Sequence, residues 1–187
     1  MTASNTDYPL PGEAMRTRTA RMLRVDHAGE VAARRIYQGQ LAVLKPQRGA
    51  GASVAQIEEM AAKEAAHLAA FDRLIVARGV RPTLLGPIWD VASYGLGVAS
   101  ALLGTRAAMA CTVSVEEVIC EHYQRQLNDL GADDAELSEM ITQFRNDETA
   151  HRQTALASGA ALAPAYQPLS AIIKAGCRIA IKLSERI

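Results

Sequence analysis

Two Glu-x-x-His units, Glu64-Ala-Ala-His67 and Glu148-Thr-Ala-His151, sit inside runs of apolar residues spaced as one face of an α-helix. Residues three apart on a helix share a face, so each unit aims an acid and an imidazole in the same direction. Around the first unit the stripe is completed by Ile57, Met60, Ala61, Leu68, Phe71, Leu74 and Ile75. Around the second it is completed by Leu137, Ile141, Phe144 and Ala155. Two further stretches carry a lone glutamate in the same setting. One stripe runs through Leu23, Glu30, Ala33, Tyr37, Leu41 and Leu44, the other through Met109, Val113, Glu116, Cys120, Tyr123 and Leu127. Glu117 rivals Glu116, but its own stripe passes through Glu121 and Gln124, which read as a solvent face, so Glu116 is preferred.

A buried, unpartnered carboxylate is costly enough that four inward-facing glutamates need protons, basic partners or metal ions. The stripes hold no Lys or Arg to match them. Four carboxylates balance two divalent cations, and two neutral imidazoles complete a mixed oxygen and nitrogen set that suits iron or manganese. The candidate metal ligands, which are also the candidate catalytic residues, are therefore Glu30, Glu64, His67, Glu116, Glu148 and His151. Their order is a lone Glu, then Glu-x-x-His, then the same again at nearly equal spacing, as in a doubled helical hairpin. That is the pattern of ferritin-like di-iron and di-manganese carboxylate bundles.

At 187 residues and 49% hydrophobic content, the chain suits one well-packed domain. Aromatic residues make up only 4%, and no strand-like alternation competes with the helical periods. Turn residues punctuate the chain to give helices over 17–44, 53–77, 84–103, 105–130, 134–157 and 168–185. Residues 1–16 read as a flexible lead-in without a signal-like apolar core, and 17–187 as the domain. Formal charge is zero and no basic, aromatic-rich run suggests nucleic acid. Cys111, Cys120 and Cys177 show no paired spacing, which argues for a reducing compartment and against a disulfide framework. The expected architecture is all-α: a ferritin-like four-helix bundle with a hydrophobic crossover helix and a C-terminal amphipathic helix.

The two helices without ligands bear on substrate class. Leu84 to Gly104 is nearly all apolar, with Asp90 its only charge before Gly104, and reads either as a buried crossover or as a surface dipping into a bilayer. Near the C-terminus Lys174, Arg178 and Lys182 recur along a helix otherwise covered by Ile172, Ile173, Ile179, Ile181 and Leu183. Alone, that is equally an ordinary packed helix with a solvated stripe; together the two segments favour peripheral membrane contact.

Several runs resemble the demethoxyubiquinone hydroxylases, di-iron monooxygenases of ubiquinone biosynthesis. They are Arg24-Val-Asp-His-Ala-Gly-Glu30, Arg35 to Gln40, Lys63 to His67, Ala108 to Glu117, Asp147 to His151, and a tail with Ala175 to Arg178 and Leu183 to Arg186. The resemblance implies that the same six residues ligate two irons, with Glu64 and Glu148 bridging. It further implies dioxygen as co-substrate, a prenylated methoxy-quinol as substrate, and a place at a bacterial inner membrane or on the mitochondrial matrix side, of which the cytoplasmic side of the bacterial inner membrane is expected because the start of the chain does not read as a transit peptide. A lipid-binding accessory protein and a homo-oligomer fit the same setting. Electrons would come from NADH or from the quinol; lacking a Gly-x-Gly-x-x-Gly run, the chain would need an unconventional nucleotide site or a partner.

Four neighbours complete the reading. Asp147 is placed either to accept a hydrogen bond from a ligand histidine or to face solvent. His27 is expected to be a polar partner and not a ligand. Tyr37 and Tyr123, seven positions after the lone glutamates, line the site or simply pack in the core. A ferroxidase or peroxidase bundle shares these ligands, and a metal-free quinone- or membrane-binding scaffold is the alternative of another class.

Overall fold

The apolar stripes become the inward faces of antiparallel helices, as the computed structural model, described here over residues 13–186, shows. In chain order these are α1 (Glu13–Leu44), α2 (Gly51–Ala77), α3 (Gly86–Leu102), α4 (Thr105–Leu130), α5 (Ala135–Ala157) and α6 (Tyr166–Ser184). A single 3-10 turn, Ala160–Leu162, precedes α6. No strand occurs among the described residues. One correction concerns the first helix, which starts at Glu13, so residues 13–16 are helical and not lead-in. Glu, Ala, Met and Arg are strong helix formers, and Pro11-Gly12 just ahead of them is where a helix would begin. The rest of the expected lead-in, residues 1–12, lies outside the described residues.

α1 packs on α2 and α4 on α5, and the two hairpins face each other to form an all-α, ferritin-like bundle. α5 buries Leu137, Ile141, Phe144, Glu148, His151 and Ala155, the stripe expected from its spacing. α2 buries Ile57, Met60, Glu64, His67, Leu68, Phe71 and Ile75. The core is layered along the bundle axis. One end is closed by Tyr37, Leu44, Ile57, Met60, Met109, Val113 and Ala155. The other end is closed by Leu23, Phe71, Ile75, Tyr123, Leu137, Ile141 and Phe144. On all four helices the acidic residues fall between these two clusters. Each large apolar side chain so buried contributes about 1.5–3 kcal/mol.

Arg78 and Asp134 fasten the far ends of the hairpins together. Asp134 caps α5 by accepting from Leu137 N at 3.2 Å, and the Arg78 guanidinium grips both its oxygens. The Arg78 partnership holds the Asp134 carboxyl below its usual range.

α3 crosses outside α1, and α6 lies against α4. The α1–α3 crossing depends on two glycines. A Cβ on Gly97 would collide with Ile36 O, and one on Gly39 with Tyr94 O, so the two backbones touch directly. α6 is held to α4 by Lys174–Glu117 at 2.6 Å and Arg178–Glu121 at 3.1 Å. The basic stripe of α6 thus faces protein carboxylates at two of its three positions. The outer surface left by α3 and α6 is apolar: Leu84, Ile88, Val91, Leu102, Leu103, Ile172 and Ile179 are all more than half exposed. Among the described residues no helix is long and apolar enough to cross a membrane.

Gly97→Ala should lower unfolding free energy by about 1–3 kcal/mol, because the added methyl meets backbone that cannot yield. Gly95→Ala, with nothing within 4 Å of its Cβ position, should be neutral or stabilising in the same urea titration.

Candidate metal centre

At the level between the two apolar clusters, α1 contributes Glu30, α2 Glu64 and His67, α4 Glu116, and α5 Glu148 and His151. All six are at most 3% exposed. The structure brings together all six residues that the sequence reading preferred as ligands. They form two overlapping groups, Glu30–Glu64–His67–Glu148 and Glu64–Glu116–Glu148–His151, and in each the donor atoms lie within 4.8 Å of one another. Glu64 and Glu148 belong to both groups, in keeping with the bridging role that the resemblance implies.

Both histidines turn Nδ1 inward. His67 Nδ1 lies 3.1 Å from Glu148 Oε1 and 3.5 Å from Glu30 Oε2. His151 Nδ1 lies 3.1 Å from Glu64 Oε1 and 2.9 Å from Glu148 Oε2. Glu30 Oε2, Glu64 Oε1, His67 Nδ1 and Glu148 Oε1 are buried without hydrogen-bond partners, although they converge. Buried polar atoms are nearly always paired. Four unpaired ones at one point, all oxygen or imidazole nitrogen, fit a pair of hard or borderline cations such as iron or manganese.

Electrostatics say the same. Burial pushes the carboxyls of Glu64 and Glu116 well above the usual range, and the Glu148 charge adds to both. Burial raises Glu30 as well. At Glu148 burial works in that direction too, but the His151 and His67 rings beside it outweigh it and hold the carboxyl at about 2. At His67 burial opposes the charge, and the adjacent Glu148 and Glu30 carboxyls overcome it to lift the ring to about 10. Protons thus neutralise this layer wherever cations do not.

The surrounding partners cross between hairpins. Tyr37 on α1 donates to Glu116 Oε1 on α4 at 2.7 Å, and Tyr123 on α4 donates to Glu30 Oε1 on α1. Burial raises both phenols well above their ordinary value, so they stay donors. Asp147 takes the first of its two expected roles, accepting from His67 Nε2 at 3.2 Å and from Lys63 Nζ at 3.2 Å. His27 pairs with Asp72 at 3.0 Å, and Glu117 with Lys174, so neither joins the cluster. The three cysteines are free and lie outside both groups.

One buried polar cluster escaped the sequence reading. Asp26, 2% exposed, accepts from Gln126 Nε2 at 2.7 Å and lies 3.1 Å from His122 Nε2. Its signal was available: Asp26 is one helical turn before Glu30 and shares its face.

Two cavities adjoin the bundle. The larger, about 650 Å³, carries charged residues on its walls, with Arg18, Arg21, Arg125 and Asp129 around His122. The smaller, about 350 Å³, is an apolar groove between α1, α3, α4 and α6, with Ala32, Ala33, Ile36, Leu96, Ile119 and Ile173 in its walls.

An all-α bundle with a Glu and a Glu-x-x-His from each of two hairpins, meeting in one buried layer, defines a ferritin-like carboxylate protein. The particular family follows from comparison: the profile described as ubiquinone biosynthesis protein COQ7 matches residues 17–184, and the chain belongs to that family. It is 52% identical over 170 residues to the "NADPH-dependent 3-demethoxyubiquinone 3-hydroxylase, mitochondrial" of Dictyostelium discoideum, covering 89% of this chain and 76% of that protein. It is 52% identical over 167 residues to the "3-demethoxyubiquinol 3-hydroxylase" of Rhodospirillum rubrum, covering 89% and 77%. The human "NADPH-dependent 3-demethoxyubiquinone 3-hydroxylase, mitochondrial" is 48% identical over 171 residues, covering 89% and 77%.

Divalent cations must displace the protons on Glu64 and Glu116, so metal uptake should release protons and tighten as pH rises. Because these two folded-state values are raised, their contribution to the metal-free fold is greatest at low pH and is lost as pH climbs toward them. Manganese should therefore raise Tm more at pH 8 than at pH 5.5. Calorimetry and a pH-indicator titration check both, and pH-independent uptake would contradict them.

Proposed function

We propose that this protein is an oxygen-dependent di-iron monooxygenase that hydroxylates demethoxyubiquinol, a prenylated methoxy-benzoquinol, in ubiquinone biosynthesis. The observation that carries this reading is the buried layer of four glutamates and two histidines, in a chain about half identical to relatives named as hydroxylases of that substrate. Glu30, Glu64, His67, Glu116, Glu148 and His151 would hold the two irons, which when bound supply the activation of dioxygen.

The chain's own residues perform the remaining tasks. Tyr37 and Tyr123 fix the outer carboxylates Glu116 and Glu30, so these cannot swing away from the centre. Asp147 orients His67 with Nδ1 inward. The apolar layers at either end keep water from the acids. The groove beside α1 and α4 is our choice for the prenyl tail, because its lining is almost wholly apolar whereas the larger cavity is ringed by arginines. The names of the relatives support a reduced pyridine nucleotide as the source of electrons.

We further place the protein peripherally on the cytoplasmic side of a bacterial inner membrane. Support comes from the apolar outer surface of α3 and α6, which borders the groove and lets a lipid-borne tail enter from a bilayer. An accessory lipid-binding protein and self-association are compatible with the same surface. That exposed face also weighs against a ferritin-type soluble shell.

Demethoxyubiquinol incubated with iron-loaded protein, a reductant and isotopically labelled dioxygen should gain one labelled ring oxygen by mass spectrometry. Iron oxidation with the quinol unchanged would favour the ferroxidase or peroxidase reading. Glu148→Ala, which removes a carboxylate common to both groups, should abolish metal loading and product formation together, and His151→Ala should abolish product formation. Making Val91, Leu102, Ile172 and Ile179 polar should remove flotation with liposomes while leaving metal content intact, and undiminished flotation would sink the membrane assignment.

A further inference from the structure

The two hairpins repeat each other around the buried layer, and the repeat is broken at two positions that act on one histidine. Glu30 matches Glu116, Tyr37 matches Tyr123, Glu64 matches Glu148 and His67 matches His151, each at the same place in its hairpin. The residue before the bridging glutamate, however, is Lys63 in one hairpin and Asp147 in the other. The residue four positions before it is Met60 in one and Phe144 in the other.

Both differences converge on His67. Its Nε2 meets Asp147 Oδ2 at 3.2 Å, and Lys63 holds the other oxygen of that carboxylate at 3.2 Å. Its ring stacks on Phe144 with centroids 3.9 Å apart and planes 25° from parallel. Phe144 is braced in turn by Phe71, edge-on at 5.5 Å. His67 is thus fixed at its outer nitrogen and across one ring face. His151 has neither support. Its Nε2 is buried with no hydrogen-bond partner, and the residue matching Asp147 is Lys63, an ammonium that cannot accept an N–H.

We infer that the two metal positions are unequal by construction: the one formed with Glu30 and His67 binds the first cation tightly, and the one formed with Glu116 and His151 binds the second more weakly. This rests on the metal-centre reading above. A carboxylate behind a ligand imidazole fixes its tautomer and orientation and makes it a better donor, and removing such a partner typically weakens metal binding by about 10–100-fold. Asp147, with Lys63 behind it, is therefore a positioning residue for one metal of the two.

Metal-free protein titrated with Mn²⁺, with free ion followed by electron paramagnetic resonance, should bind in two resolved steps. His151→Ala should keep the tight step and His67→Ala should lose it. Asp147→Asn should weaken the first step by about 10–100-fold and leave the second in place. If that variant does not fold by circular dichroism, Lys63→Met, which loosens Asp147, should shift the first step in the same direction. Two equal steps in the natural protein would overturn the inference, as would a tight step that survives in His67→Ala or ignores both Asp147→Asn and Lys63→Met. Those outcomes would leave the dinuclear site standing. Failure to bind any Mn²⁺ or Fe²⁺ would remove the site itself and the proposed function with it.

Discussion

Four carboxylates packed where water cannot reach them set the terms for this fold. Their mutual repulsion and lost hydration oppose folding, so the apolar layers on either side must supply the stability that the middle layer lacks. Each helix shows the division. α1 runs from Leu23 through Glu30 to Leu44, and α5 from Leu137 through Glu148 to Ala155, apolar at both ends and ionisable at the centre. Three other polar groups serve that centre directly. The Tyr37 and Tyr123 hydroxyls and the Asp147 carboxylate each restrain one ligand, so the donor set is held in place before any cation arrives.

The candidate ligands were legible because helical spacing is a local property. An acid and an imidazole three apart within an apolar stripe must share a buried face whatever the tertiary arrangement, and all six residues meet as that spacing required. The helix count and the pairing of hairpins were legible on the same ground. Cross-hairpin partnerships were not. That Tyr37 serves Glu116 and Tyr123 serves Glu30 depends on how the hairpins dock, which no local period encodes. In the Asp26–His122–Gln126 cluster only Asp26 carried a local signal, one turn before Glu30, while its pairing with His122 and Gln126 of α4 depends on docking. The basic amphipathic pattern of α6 suggested membrane contact, but the acids of α4 pair with Lys174 and Arg178. The early start of α1 was obscured by Pro11-Gly12, which mark a helix start as readily as a loop.

The outer helices give the groove two different walls. Along the α1–α3 seam, Gly39 and Gly97 let backbone meet backbone, and nothing there can open without breaking the close contact. At the rim facing α6, Trp89 Nε1 reaches across to Ser184 Oγ at 3.0 Å, joining α3 to α6 through a side-chain hydrogen bond. The groove is therefore a slot hinged on a rigid edge and fastened on the other by a polar latch. To widen such a slot at its α6 rim breaks one side-chain hydrogen bond, whereas to widen it at the α1–α3 seam unpacks two backbones.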